Sequence, residues 1–385
     1  MDLNAIRDRP VRFAIGMMSG TSCDGADAAL VRIKGTGAHL FLKFIRFSTF
    51  PYNRALRRRL QNSHLTAQEL CKLNFELGER FAEAAVEMLD IAREEGVEVD
   101  FIASHGHTVA HFPPRSGSHI GTLQIGEPAV IAERTGVPVI SDFRTRDIAA
   151  GGQGAPLVPY ADWVLFSRQD RTIACLNIGG IANFTVVPPD YESVFAFDTG
   201  PGNMAIDGVM SLLTRGAQQM DEDGAVAAKG EVIDEFLEYL LAHPYFDRVP
   251  PKSTGREEFG PELYLRDALA NRKDHAHEDL VATVTAAVAQ SIVGAFARFI
   301  EPYHDIARIV VSGGGAYNET LLGMIEQGLP NIAIRTSSQY GIPSDAKEAV
   351  AFAILGNETI CGTPANVPQA TGARHPVILG KITPG

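Results

Sequence analysis

Cysteine, tryptophan and basic charge are all scarce in this chain, and the shortages exclude whole classes of protein. The four cysteines, Cys23, Cys71, Cys175 and Cys361, are scattered with no C-x-x-C pair. That spacing builds neither a disulfide framework nor a thiolate metal site, and reads as reduced thiols of a cytoplasmic protein. Lys and Arg number 34 against 46 Asp and Glu, for a formal charge of −12. No basic block exceeds Arg57–Arg59, so neither a nucleic-acid face nor an anionic-membrane face is expected. Long apolar runs are also missing. The richest stretch, Leu280–Ile300, is broken by Gln290, Ser291 and Arg298, which predicts a buried helix rather than a membrane span. The opening residues Met1–Pro10 are polar and lack the apolar core of a secretory signal. No Walker loop, G-x-G-x-x-G turn or G-x-S-x-G elbow is present.

What is present is ample globular chain. With 385 residues, 45% of them apolar, two domains are the natural expectation. Apolar runs predict strands at Val11–Met18, Ala26–Ile33 and His39–Phe47, joined by short turns as a β-meander. A helical period over Thr66–Glu95 follows, then a strand Phe101–Ser104, a helix Glu127–Arg134 and a buried strand Val137–Ser141. The second half restarts in the same style. Strands are expected at Thr172–Ile178, Ile181–Val187 and Ser193–Phe197, and a broken helical stretch over Gln218–Asn271. The Leu280–Ile300 helix, a strand Ile306–Val311, a strand Asn331–Arg335 and a closing helix Asp345–Asn357 complete it. The pattern predicts a duplicated α/β unit, with one lobe at 1–145, completed by 360–385, and the other at 146–359. Two such lobes without a flexible linker are expected to bind ligand in a cleft and close on it.

Three glycine-rich turns are candidate ligand loops. Gly20, Thr21, Ser22, Cys23, Asp24, Gly25, Ala26 and Asp27 join the first two strands. Such a hairpin offers N–H groups and hydroxyls to phosphate oxygens, and Asp24 is placed to hold a Mg²⁺. An ordinary polar hairpin uses the same residue types. Gly179, Gly180 and Asn183 occupy the equivalent place in the second half, so two hairpins are available for one polyphosphate. Gly313, Gly314, Gly315 and Asn318 follow a buried strand and open a helix, where a purine–ribose unit can approach the backbone closely.

Asp142, Asp147 and Asp198 sit at strand ends or in turns, the usual positions of a general base and also of a turn or cap aspartate. Arg144 is able to clamp a carboxylate, and Glu348 either faces a ligand or is solvated. His105 and His107 have strand spacing for a metal, but no third ligand type lies nearby. Asp221–Gly224 lacks the closing Glu of a calcium loop and reads as a solvated turn.

These clusters resemble the 1,6-anhydro-N-acetylmuramic acid kinases. The likeness runs in order through Gly16–Asp27, HGHT at His105–Thr108, TLQIGEP at Thr122–Pro128 and Ser141–Pro159. It continues through NIGGIAN at Asn177–Asn183, FDTGPGN at Phe197–Asn203, KSTGREEFG at Lys252–Gly260, VSGGGAYN at Val311–Asn318 and Pro343–Leu355. An N-terminal extension of about ten residues and Cys23, in place of a larger apolar residue, depart from the pattern. The resemblance implies two lobes of duplicated ribonuclease H-like topology, as in actin and hexokinase, with ATP and Mg²⁺ at the phosphate loops. It implies cytoplasmic recycling of cell-wall sugar, a homodimer, Asp198 as the base, and Arg144, Gln124, Gly200 and Glu348 as sugar contacts. Two alternatives stay open: a related kinase acting on an ordinary hydroxyl with Asp142 or Asp147 as base, and an ATP-switched binding module.

Overall fold

Strands β1 (Arg12–Ser19), β2 (Gly25–Lys34) and β3 (Phe41–Pro51) form an antiparallel meander, with Met18 opposite Asp27 and Gly25 opposite Pro51. This is a computed structural model, and it describes residues 3–20, 23–62, 64–112, 120–167 and 171–385. Strand β4 (Phe101–Phe112) runs parallel to β1, β5 (Gly121–Ile125) pairs antiparallel with the outer part of β4, and β6 (Val139–Ser141) runs parallel to β4. A C-terminal strand, Lys381–Thr383, closes the sheet against β6.

Each face of this sheet is covered by a helix. Ala67–Glu94 begins with a capping box, Thr66 and Glu69 each satisfying the other's backbone N–H. Its Leu73, Leu77, Phe81 and Met88 pack with Ile15, Met17, Leu30 and Ile102 in one core. Lys347–Cys361 lies on the other face at close range. A Cβ on Gly16 would stand 1.9 Å from the Ala349 carbonyl oxygen, so only glycine fits there.

The second unit repeats the first. Strands β7 (Thr172–Ile178), β8 (Ile181–Val187) and β9 (Phe195–Pro201) are again an antiparallel meander. Strands β10 (Ile306–Ser312) and β11 (Ala333–Thr336) add in parallel beside β7. The order β11-β10-β7-β8-β9 matches β6-β4-β1-β2-β3, so the duplication expected from pattern is present in the topology. The helix His277–Phe299 is long and apolar enough to cross a membrane, yet 78% of its apolar window is buried inside the protein. It forms the core of this unit with Phe184, Phe197 and Val209.

The boundaries differ from those expected. The first unit comprises Met1–Leu165 with Ala346–Gly385, and the second Phe166–Asp345. The borders differ from the expected 145 and 359 because Lys347–Cys361 and all but the last residue of the helix Val158–Phe166 belong to the first unit. There the Lys347 ammonium and the Asp162 carboxylate form a buried ion pair at 2.8 Å. The broken helical stretch expected over 218–271 is a series of short helices, such as Asp234–Leu241 and Arg266–Ala270.

Candidate active site

Asp198 lies inside β9, three residues before its end, rather than at the strand's end as expected. Three hydrogen bonds hold it. Its N–H donates to the Lys252 carbonyl at 3.1 Å, and the Tyr245 hydroxyl donates to its carbonyl at 2.8 Å. Its Oδ2 accepts the Thr254 N–H at 2.9 Å. Burial pushes the carboxyl up to about 6, against the opposing pull of the Thr254 N–H and the Lys252 cation. A carboxylate with that affinity near neutral pH is suited to take a proton. Thr254 is in turn fixed by its hydroxyl, which donates to Glu258 at 2.6 Å. Gly200, two residues past Asp198, holds φ +153, and a Cβ there would meet the Phe246 ring at 2.6 Å.

The glycine loops of the second unit converge on one place. The Gly179 carbonyl accepts the Asn203 N–H at 2.8 Å, and the Gly180 carbonyl accepts the Gly202 N–H at 2.9 Å. Gly313 has φ +81, and a Cβ on it would stand 2.7 Å from the Ile178 carbonyl oxygen. Cβ atoms on Gly314 and Gly315 would lie 3.2 and 3.1 Å from the Asn203 side chain. The Asn177–Gly180 turn, the start of Asn203–Thr214 and Ser312–Gly315 therefore form a bare backbone surface, the kind a nucleotide can approach. Gly314–Tyr317 is a 3₁₀ turn, and the α-helix starts only at Glu319, capped by Asn318 Oδ1 at 2.8 Å from the Leu321 N–H. That oxygen of Asn318 serves the fold. Asn183 sits directly across from Asp198 on the neighbouring strand.

Asp221 needs correction. It is buried, not solvated, and its carboxylate accepts the N–H groups of Val226 at 2.7 Å and Ala227 at 3.0 Å. Burial, with Asp221 opposing its ionisation, raises Asp207 to about 6.

In the first unit, Thr21 and Ser22 of the phosphate hairpin lie outside the described residues. Cys23 takes φ +57 and is buried, with its Sγ 3.8 Å from His107 Nε2. Ser19 Oγ lies 3.3 Å from His107 Nδ1, so this imidazole braces both ends of the turn. Asp24 is exposed, and its carbonyl accepts the Tyr52 N–H at 2.8 Å. The Ala26 methyl belongs to the core, and Asp27 accepts the Thr49 hydroxyl at 2.6 Å.

A second polar cluster surrounds Arg144. Its Nε donates to His105 Nε2 at 3.0 Å and one terminal nitrogen donates to the Gly154 carbonyl at 2.7 Å. Burial lowers its affinity for its proton to about 10, opposed by Glu348 and Asp147. Glu348 is partly buried rather than solvated. Burial raises its carboxyl, while Lys347 and Arg144 pull it down. Gln124 donates to the hydroxyls of Thr108 at 3.2 Å and Thr122 at 2.8 Å. It lines a cavity of about 660 Å³ with Asp142, Thr145, Lys381 and Ser104. The buried Oγ of Ser104 has no hydrogen-bond partner among the described residues.

The rival bases are engaged elsewhere. Asp142 is ion-paired with Lys381. Asp147 is fully buried and accepts from the Gly154 N–H at 2.7 Å, Asn366 Nδ2 at 2.7 Å and the Thr371 hydroxyl at 2.8 Å. His105 packs against Phe352 with ring centres 4.4 Å apart, while His107 faces Ser19 and Cys23. Among the described residues no three His, Cys, Asp or Glu side chains are grouped to hold a metal. Mg²⁺ fits such a site when phosphates and water supply most of its ligands and one carboxylate, here Asp24, the remainder. Lys252, Thr254 and Tyr245 were not singled out from sequence, although KSTGREEFG carries two of them.

Two copies of a meander with two added parallel strands, each with a glycine-rich turn after its first strand, define a protein of duplicated α/β topology, the fold class expected from the sequence. The chain belongs to the anhydro-N-acetylmuramic acid kinase family, whose model matches residues 12–385. A relative of that name from Caldanaerobacter subterraneus subsp. tengcongensis is 47% identical over 391 residues, covering 98% of each chain. One from Bacillus cereus is 46% identical over 380 residues, covering 96% of this chain and 99% of its own. Among solved structures, component A of (R)-2-hydroxyglutaryl-CoA dehydratase from Acidaminococcus fermentans aligns with a TM-score of 0.47 at 11% identity, over 91% of this chain and 99% of that one. The protein is therefore a kinase, and ATP use accompanies that membership.

Proposed function

We propose that this kinase opens 1,6-anhydro-N-acetylmuramic acid hydrolytically while phosphorylating O6, giving N-acetylmuramic acid 6-phosphate and ADP. O6 of the anhydro sugar is an ether oxygen with no proton to lose, so a base aimed at a sugar hydroxyl has nothing to remove. Water attacks C1, the C1–O6 bond breaks, O6 takes the γ-phosphoryl group, and the water proton passes to Asp198. The observation that carries the reading is the Asp198 carboxylate, partly buried, held by the Thr254 N–H at 2.9 Å and raised by burial to about 6.

The hairpins Gly20–Asp27 and Gly179–Gly180 take the phosphates, Asp24 attends Mg²⁺, and Gly313–Gly315 take the nucleoside. When bound, Mg²⁺ neutralises phosphate charge. Arg144, Gln124, Gly200 and Glu348 orient the sugar. The setting is cytoplasmic cell-wall sugar recycling, by a homodimer. The alternative base at Asp142 or Asp147 is disfavoured by the ion pair and hydrogen bonds that occupy those residues.

The test is turnover of Asp198→Asn in ¹⁸O-water. A fall of about 10²–10⁴-fold in kcat with little change in KM is expected, with wild-type label at C1. Label in the phosphate, or a fully active variant, overturns the mechanism.

A further inference from the structure

Lys252 is a costly residue for its position. Its side chain is buried, and its ammonium lies 4.7 Å from the centre of the Tyr245 ring and 5.1 Å from that of Phe299. One hydrogen bond is present, to the Tyr245 carbonyl at 3.5 Å, at the long limit of such a bond. A slot between two rings is filled as well by an apolar side chain of the same length, without the desolvation of a cation. The cation–π contacts offset part of that penalty.

The surrounding charges leave one uncommitted carboxylate. Arg298 and Arg248 both oppose the Lys252 charge, and Asp198 and Asp247 favour it. Asp247 is paired with Arg298 at 3.1 Å, and Glu258 is paired with Arg248. Asp198 has no ion-pair partner of its own among the described residues. Glu257 works against its ionisation, the Thr254 N–H and Lys252 for it.

The connection is also mechanical. The segment carrying Lys252 runs alongside β9, so that the Lys252 carbonyl receives the Asp198 N–H and the Thr254 N–H reaches Oδ2. Tyr245, whose ring faces the ammonium, donates its hydroxyl to the Asp198 carbonyl. One short stretch of chain thus fixes the backbone, one carboxylate oxygen and the local charge of Asp198.

We propose that Lys252 is a positioning residue for Asp198, its buried ammonium keeping that carboxylate ionised so that it can accept the proton of the attacking water. The proposal rests on the reading of Asp198 as the base. Burial alone drives the aspartate toward its protonated form, and a nearby cation reverses part of that shift. Deprotonation of Lys252, which burial lowers to about 8, removes that support in alkaline solution.

The experiment is the pH dependence of kcat/KM at saturating MgATP for the wild type, Lys252→Met and Lys252→Arg, with Asp198→Asn in parallel. The acid limb of Lys252→Met is expected to move up by about one pH unit, and Lys252→Arg to return it toward the wild type. A ¹³C titration of the Asp198 carboxyl should show the same displacement without reference to turnover. If Lys252→Met does not accumulate folded, Lys252→Gln, which keeps a polar end for the Tyr245 carbonyl, carries the same expectation. An unmoved limb and titration, with Asp198→Asn inactive, overturn the role of Lys252 and leave the base intact. A fully active Asp198→Asn removes the base itself, and the proposal with it. A general loss of kcat in Lys252→Met without displacement of the limb marks a merely structural lysine and also overturns it.

Discussion

Arg144 donates its Nε–H to Nε2 of His105 at 3.0 Å, which makes that imidazole nitrogen an acceptor. The ring proton therefore resides on Nδ1, which faces the Gly106 carbonyl at 3.2 Å. Burial, together with the Arg144 charge, holds His105 neutral well below the usual histidine range. A guanidinium fixed in this way presents its remaining donors in one orientation.

Arg144→Lys keeps the charge but loses the planar fork, and cannot bond His105 and the Gly154 carbonyl with the same geometry. Sugar KM is expected to rise by about tenfold or more, the scale of one charged hydrogen bond. An unchanged KM in steady-state assays would remove Arg144 from the sugar contacts.

Asp198→Asn should make the protein more stable at neutral pH. The folded carboxyl binds its proton up to about 6, above the usual aspartate value, so folding opposes ionisation. The native state then holds more protons than the unfolded chain between about pH 4 and 6, and stability falls as pH rises through that window. Asparagine has no such loss, and a gain of about 1–2 kcal/mol is expected at pH 7, vanishing near pH 4. Urea denaturation at both pH values checks it; equal gains at both would refute the linkage.

Asp147→Ala separates a structural aspartate from a catalytic one. Its removal strands the Gly154 N–H, Asn366 and Thr371 in a buried site. Each unsatisfied donor costs about 1–3 kcal/mol, so a loss of about 3 kcal/mol or more is expected. The folded fraction should keep most of its kcat. A stable, inactive variant would instead favour Asp147 as the base.

Asp24→Ala tests the phosphate hairpin. Asp24 is exposed, so the fold should tolerate the change. Calorimetry is expected to show weaker MgATP binding and near-normal sugar binding, with turnover reduced more than tenfold if the carboxylate attends the metal. Unaltered MgATP affinity and turnover would dismiss the assignment.

The sequence alone determined most of the strands and the repeat, but not Gly121–Ile125, Lys381–Thr383 or the outer part of Phe101–Phe112. Thr172–Ile178 and Ile181–Val187 are observed with the bounds expected of them, because short apolar runs closed by Gly179–Gly180 leave a hairpin little alternative. The glycine turns were legible for the same local reason. Tertiary structure decided which aspartate is available. Asn366 and Thr371 reach Asp147 from 219 and 224 residues away, while Lys252 and Thr254 reach Asp198 from more than 50 residues away. It also assigned Lys347–Cys361 to the first unit, where Gly16 admits it against the sheet. Periodicity and turn chemistry are written in neighbouring residues, whereas burial, charge pairing and hydrogen-bond supply arise only when distant segments pack together.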